Sequence, residues 1–274
     1  MIDDASTRRV CRVLDVSRSS VRHETEVEGG HRTRSRSTPN PSLVEAVRDL
    51  IERFPTFGYR RLWAMLKRAG WTIAKKTVQR VLKIKGWQVH QRQAGRRPRV
   101  QASKSRASSS NERWAMDVTH VYCGEDGWGH LVAVIDCCDR EVIGWEFALR
   151  GRAREAQRAL EDACLDRFGS LFAPKTGPLL RSDNGLIFLS REFRGACSTY
   201  GLRQEYITPY TPEQNGLIER FFKSLKEECV WLHNFKDFTE ANAAITRWIQ
   251  FYNEERPHQS LDYLSPIEFR AKAA

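Results

Sequence analysis

The sequence predicts a mixed α/β domain preceded by a small all-α domain, and three observations predict it. From residue 112 onward, strand-like runs give way to helical patterns in the order β-β-β-α-β-α-β-α-α. That order makes a mixed five-stranded sheet flanked by helices. Between residues 42 and 90, apolar residues recur at helical spacing in three short segments. Between these regions, residues 91–111 are mostly Arg, Gln, Ser and Ala, which build no core and mark a basic linker.

In the front region, Ser42 and Glu45 have capping-box spacing, and Leu43, Val47, Leu50, Ile51 and Phe54 continue at helical intervals. Pro55 and Gly58 break that helix. A second follows with Tyr59, Leu62, Leu66 and Ala69 on one face, stopped by Gly70. A third is expected from Lys75 to Lys85, with Val78, Val81 and Leu82 inward and Gly86 behind it. Its outward residues, Lys75, Lys76, Gln79, Arg80 and Lys83, are what a recognition helix presents to a DNA groove; a bundle with a solvated basic face is the alternative. Ahead of these, residues 5–23 read as a partial helix-turn-helix or an amphipathic tail. The rest of 1–41, with Gly29-Gly30 and a polar basic run, reads as a flexible linker.

In the back region, strands are expected at Trp114–Tyr122, Trp128–Asp136 and Glu141–Phe147. The last two form an antiparallel hairpin through the Asp139-Arg140 turn. A helix at Ala153–Phe168, a short buried strand at Leu179–Ser182, a helix at Glu192–Tyr200 and a fifth strand at Leu202–Ile207 follow. Helices at Glu213–Val230 and Thr239–Asn253 close the pattern.

Charge is divided unevenly. Residues 1–110 hold 25 Lys and Arg against 9 Asp and Glu, whereas residues 111–274 hold 20 against 25. A basic front half attached to an acidic back half suits nucleic-acid binding through counterion release from phosphates. There is no signal-peptide pattern and no run long enough to span a membrane. Seven cysteines without a C-x-x-C pair fit a reducing, cytoplasmic setting better than a disulfide framework or a zinc site.

Three acids stand out by position. Asp117 lies inside the first strand, Asp183 directly follows the fourth, and Glu219 lies on a helix 35 intervening residues later. Cutting a phosphodiester needs an activated oxygen nucleophile and a stabilised leaving oxygen, which two Mg²⁺ ions supply when carboxylates hold them. Lys226 shares a helical face with Glu219, being seven residues or about two turns further on, roughly 10 Å along the axis; there it can hold a phosphate. Arg220 and Lys223 flank that face, and Gln214, Asn215 and Gly216 form a polar approach at the helix start. Taken singly, Asp117 could be a strand-edge residue, Asp183 an Asx turn, and Glu219 a solvated glutamate. Asp136 and Asp139 fit hairpin-turn chemistry, and His120 and His258 fit structural roles.

At these residues the chain resembles the insertion-sequence-three family of bacterial transposases, in the form encoded by the second reading frame (OrfB type). The resemblance rests on Phe57-Gly58-Tyr59-Arg60-Arg61-Leu62-Trp63, Arg113-Trp114-Ala115-Met116-Asp117-Val118-Thr119, Ser182-Asp183-Asn184-Gly185, the run from Pro212 to Lys226, and Arg256-Pro257-His258. It implies an RNase H-like, retroviral-integrase-like core at 112–274, with Asp117, Asp183 and Glu219 as the catalytic triad holding two Mg²⁺ or Mn²⁺ ions. It implies a helix-turn-helix DNA-binding domain at 42–90, and Asn184 and Arg60 join the residues above as DNA contacts. The implied chemistry is cleavage at insertion-element ends and strand transfer by a 3′-hydroxyl, on inverted repeats and target DNA in the bacterial nucleoid. Active forms in this family usually carry an upstream frame with a fuller helix-turn-helix and a leucine zipper. The expectation is thus a catalytic portion working with that product or as a fusion, as a homo-oligomer on DNA. A DNA-binding regulator with a silent core and an RNase H-type nuclease are the competing functions.

Overall fold

The computed structural model describes residues 38–89, 107–208 and 212–273. The expected helix-turn-helix remnant at 5–23, nearly all of the linker to residue 41 and residues 91–106 of the basic linker lie outside them. The chain divides into two compact units, Met1–Val44 and Glu45–Ala274. In the first, the described residues are the start of α1 (Pro41–Arg53) and the three before it. The cap there is Asn40 rather than Ser42: its Oδ1 accepts the Ser42 amide at 3.0 Å. Pro41 takes the first helical position, where a missing N–H costs nothing.

The second unit continues through α2 (Tyr59–Arg68) and α3 (Lys75–Lys85). Val47, Leu62, Leu66, Val78, Val81 and Leu82 are buried, as their spacing predicts. α3 stops at Gly86, whose φ of 70° is left-handed, and the Trp87 amide closes the turn on the Leu82 carbonyl at 2.9 Å.

Then comes the sheet: β1 (Arg113–Tyr122), β2 (Trp128–Asp136), β3 (Val142–Ala148), β4 (Leu179–Ser182) and β5 (Arg203–Tyr206), in the spatial order β3-β2-β1-β4-β5. β1, β2 and β3 are antiparallel, whereas β4 and β5 run parallel to β1. Helices are α4 (Ala153–Phe168), α5 (Leu186–Leu189), α6 (Arg191–Thr199), α7 (Gly216–Glu228), α8 (Phe238–Glu254) and α9 (Pro266–Ala273). The alternation of β1 divides the core in two. Trp114 and Met116 point to the face covered by Leu160 and Ala163 of α4 and Phe193 of α6. Ala115 and Val121 point to the face covered by Ile218, Phe221 and Leu225 of α7 and by Ile245 and Trp248 of α8. An α/β/α sandwich results, with its apolar residues at period two on strands and near 3.6 on helices.

Four details differ from expectation. The helix expected from Glu213 begins as a 3₁₀ turn at Pro212–Asn215 and becomes α-helical only at Gly216. The fifth strand is shorter than expected. Helices α5 and α9 were not expected. Residues 107–111, expected as linker, are tied to the sheet: Ala107 packs on the core, and the Asn111 amide donates to Asp136 Oδ2 at 2.7 Å.

Candidate active site

Parallel pairing positions the first two acids. The β1–β4 ladder matches Trp114 with Leu180 and Ala115 with Arg181. Continuing that register by two residues sets Asp117 beside Asp183, just beyond the carboxyl end of β4. An even offset keeps Asp117 on the face of Ala115 and Val121, the face that α7 covers. α7 is held there by its buried stripe Ile218, Phe221, Phe222 and Leu225, which leaves Glu219 exposed beside the sheet.

Electrostatics bind these residues into one site. The Asp117 pKa is raised to about 7. Burial is the largest cause, and the carboxylates of Asp183 and Glu219 add to it; the Val118 amide, donating to Asp117 Oδ1 at 2.8 Å, and the ammonium of Lys226 oppose it. Four residues from three elements thus act on one carboxyl. Among the described residues, no three His, Cys, Asp or Glu side chains already stand in metal-holding proximity. The donor set nevertheless suits a hard cation: oxygen donors only, with negative charge that one lysine leaves undercompensated. Asp183 also forms the Asx turn its sequence allows, its Oδ1 accepting the Gly185 amide at 2.9 Å.

The other expected contacts divide into two groups. Arg220 and Lys223 are exposed on α7, Lys223 standing 3.7 Å from Glu227. Asn184 is exposed and donates to the Ile207 carbonyl at 3.0 Å, which ties the ends of β4 and β5 together. Gln214 accepts the Thr208 amide at 2.8 Å and so fastens the approach to α7. Asn215 is buried at 2% exposure, so it faces the interior rather than solvent. On α3, Lys76, Gln79, Arg80 and Lys83 are exposed. Lys75 instead sits over the rings of Trp63, at 4.4 Å, and Tyr263, at 4.2 Å. Arg60 donates to Gln259 at 2.9 Å.

The sequence reading missed two charged clusters. Arg256 clamps Glu228 of α7 through two hydrogen bonds at 2.8 and 2.7 Å, and Arg61 of α2 donates to the same carboxylate. Arg167, 1% exposed, bridges Asp139 at 3.1 Å and Glu141 at 3.0 Å. Asp136 and Asp139 serve the hairpin turn as expected, Asp136 accepting the Cys138 and Asp139 amides. His258 is buried edge-on against Tyr252, 4.8 Å between centroids, a structural role. The six cysteines among the described residues are free thiols. No helix among those residues is long and apolar enough to cross a membrane.

A mixed sheet in this strand order, covered on both faces by helices, is the catalytic-core fold of integrases. Two models of the integrase core domain match, at residues 107–212 and 200–266, and a model of an HTH-like domain matches residues 40–95. Transposase InsD for insertion element IS2 of Escherichia coli is 28% identical over 282 residues, covering 97% of this chain and 91% of its own. A chain of the simian T-cell lymphotropic virus intasome, solved in complex with PP2A regulatory subunit B56 gamma, shares the fold. Its TM-score is 0.52 at 17% identity, covering 82% of this chain and 74% of that one. The chain is thus similar over nearly all its length to an insertion-element transposase, and its integrase-type core makes it a DDE-type transposase. That core family is metal-dependent and acts on DNA.

Proposed function

We propose that this chain cuts DNA at the ends of an insertion element and joins the freed ends to a target, with Asp117, Asp183 and Glu219 as its catalytic acids. The observation that carries this reading is convergence: the parallel register sets Asp117 beside Asp183, and Asp183 and Glu219 both add to the burial that raises the Asp117 carboxyl to about 7. Like charges gathered on a DNA enzyme oppose substrate binding unless a cation joins them.

Asp117 and Asp183 would hold the divalent ions from rigid strand ends, and Glu219 would complete the set from α7 by rotating its side chain. Two Mg²⁺ or Mn²⁺ ions bound there supply charge stabilisation for the attacking and leaving oxygens of an in-line displacement. The protein's own contribution is positioning. Lys226, close enough to act on Asp117, would hold a phosphate beside the acids. Arg220 and Lys223 would let α7 lie along the DNA backbone. On the front domain, residues 42–90, the exposed Lys76, Gln79, Arg80 and Lys83 of α3 would enter a groove. Water attacks first, at the element end; the 3′-hydroxyl it frees is then the nucleophile on target DNA. On this reading the protein works at the nucleoid in the bacterial cytoplasm, as a homo-oligomer and with an upstream-frame product or as a fusion to it.

The test is nicking and strand transfer on labelled element-end DNA with and without Mg²⁺, with Asp183→Asn as control. Metal-dependent products that the variant fails to make support the proposal. DNA binding without cutting would indicate a regulator with a silent core. Cutting of RNA–DNA hybrids regardless of end sequence would indicate an RNase H-type nuclease.

A further inference from the structure

A cavity of about 460 Å³ opens beside the candidate site, and its lining is unusual for a protein surface. Three large aromatic side chains border it while remaining mostly in solvent: Tyr122 at 57% exposure, Trp128 at 60% and Trp231 at 59%. Tyr122 and Trp128 are register partners across β1 and β2, with ring centroids 5.5 Å apart. Trp231 approaches from the turn after α7. Lys226, His120, His233 and Asn234 supply the polar lining. None of the lining residues is acidic.

Exposed aromatics gathered around one cavity mark a binding surface. Two features decide what binds. The first is continuity: Lys226 borders the cavity and also acts on Asp117, so it links the cavity to the acids. The second is composition. Flat aromatic faces beside a cation, without carboxylates, match a nucleotide: the ring stacks on the aromatics and its phosphate meets the lysine. A protein partner would meet the apolar rings equally well, but a flat ring carrying a phosphate matches the aromatics and Lys226 at once.

We propose that this cavity receives an unpaired nucleobase of the DNA strand engaged at the acids, with Trp128 and Trp231 as stacking surfaces and Lys226 on the adjacent phosphate. The inference rests on the reading of DNA as substrate and adds a subsite to it. A base held there keeps the DNA end open while the neighbouring phosphodiester lies at the carboxylates. The subsite is indifferent to sequence, because every base has a π-face.

The experiment uses the full chain and two fluorescently labelled DNA hairpins, one blunt and one with three unpaired nucleotides at its end. 2-Aminopurine occupies one unpaired position. Wild-type protein is expected to bind the open-ended DNA roughly tenfold more tightly than the blunt DNA and to quench the 2-aminopurine. Trp128→Ala and Trp231→Ala, both at exposed positions that leave the fold intact, are expected to abolish the preference and the quenching while keeping blunt-end affinity. Unchanged preference in both variants would overturn the subsite. So would a change in oligomeric state of the DNA-free variants with unchanged DNA binding, since the surface would then be a protein interface. Nicking of both DNAs is followed in parallel with Mg²⁺. If the wild type cuts neither, yet shows a tryptophan-dependent preference, the subsite stands and the catalytic proposal fails.

Discussion

Glu228 and Arg256 form a two-point ion pair, Nε and Nη2 of the guanidinium donating to the two carboxylate oxygens at 2.8 and 2.7 Å. Arg61 of α2 donates to Oε1 of the same carboxylate, the oxygen that Nη2 also holds. Burial alone would raise the Glu228 pKa, but the two guanidinia outweigh it and hold the carboxyl below its usual range. The pair joins three segments distant in sequence: α2 of the front domain, the end of the helix that carries Glu219, and the turn after α8. Substituting Glu228→Gln leaves two cations without their counter-charge. We expect a loss of about 3–5 kcal/mol in unfolding free energy by urea titration. A loss below about 1 kcal/mol would show that the cluster is solvated in practice.

Lys226→Ala tests the phosphate contact. The variant should bind DNA more weakly regardless of sequence, and the slope of log affinity against log salt should fall by about 1. Metal binding, followed by calorimetry without DNA, should stay largely intact. Equal loss of metal binding would place Lys226 in the metal site's architecture rather than on the substrate.

His258 makes folding sensitive to acid. Burial, aided by the nearby guanidinia of Arg256, Arg140 and Arg61, lowers its pKa to about 2 from a usual value of 6.5. The folded state therefore keeps the ring neutral while the unfolded chain protonates it. Because the unfolded state binds the extra proton, stability is full above pH 6.5 and falls as pH drops below it. Each pH unit between 6.5 and the folded value costs about 1.4 kcal/mol from this residue. His258→Gln should flatten the stability profile between pH 6.5 and 5 relative to wild type; parallel profiles would contradict the assignment.

Gly144 of β3 faces α4 at closest approach. A Cβ placed there would lie 2.1 Å from the Ala159 carbonyl oxygen and 2.7 Å from the Ala163 amide nitrogen. Both are backbone atoms of a helix packed on the sheet, so no side-chain rotation relieves the clash. Gly144→Ala should destabilise by about 3 kcal/mol in urea denaturation, at the upper end of overpacking costs. Wild-type stability in that variant would mean that α4 rides further from the sheet.

Much of this was legible in the sequence for local reasons. Strand and helix periodicities in 112–253 identified the sheet and its main helices, because each element buries one face and writes that face into its own residues. Asp117 was visible as a charge inside a strand and Asp183 as an acid at a strand's carboxyl end, whereas Glu219, on a helix, stood out only by joint placement with them and with Lys226. What escaped depends on distant partners. Arg167 reads as one more basic residue at a helix end until Asp139 and Glu141 fold against it. Arg61 and Glu228 are equally anonymous, 167 positions apart. The aromatic cavity also escaped, because Trp231 comes to line it with Tyr122 and Trp128 only through the fold. Helix α9 was readable and overlooked: Ser265 and Glu268 form a reciprocal capping box, at 2.7 and 3.3 Å.

The central place of β1, paired on one side with β2 and on the other with β4, has a consequence for the timing of motion. Its backbone has no open edge in the segment leading to Asp117, so its amides should exchange with deuterium only when the whole core opens. The amides around Gly216 and Leu217, in the first turn of α7, lack that double ladder and should exchange much sooner. The proposed acids would then stand on backbone of unequal protection, Asp117 on the slow strand and Glu219 just past the less protected start of α7.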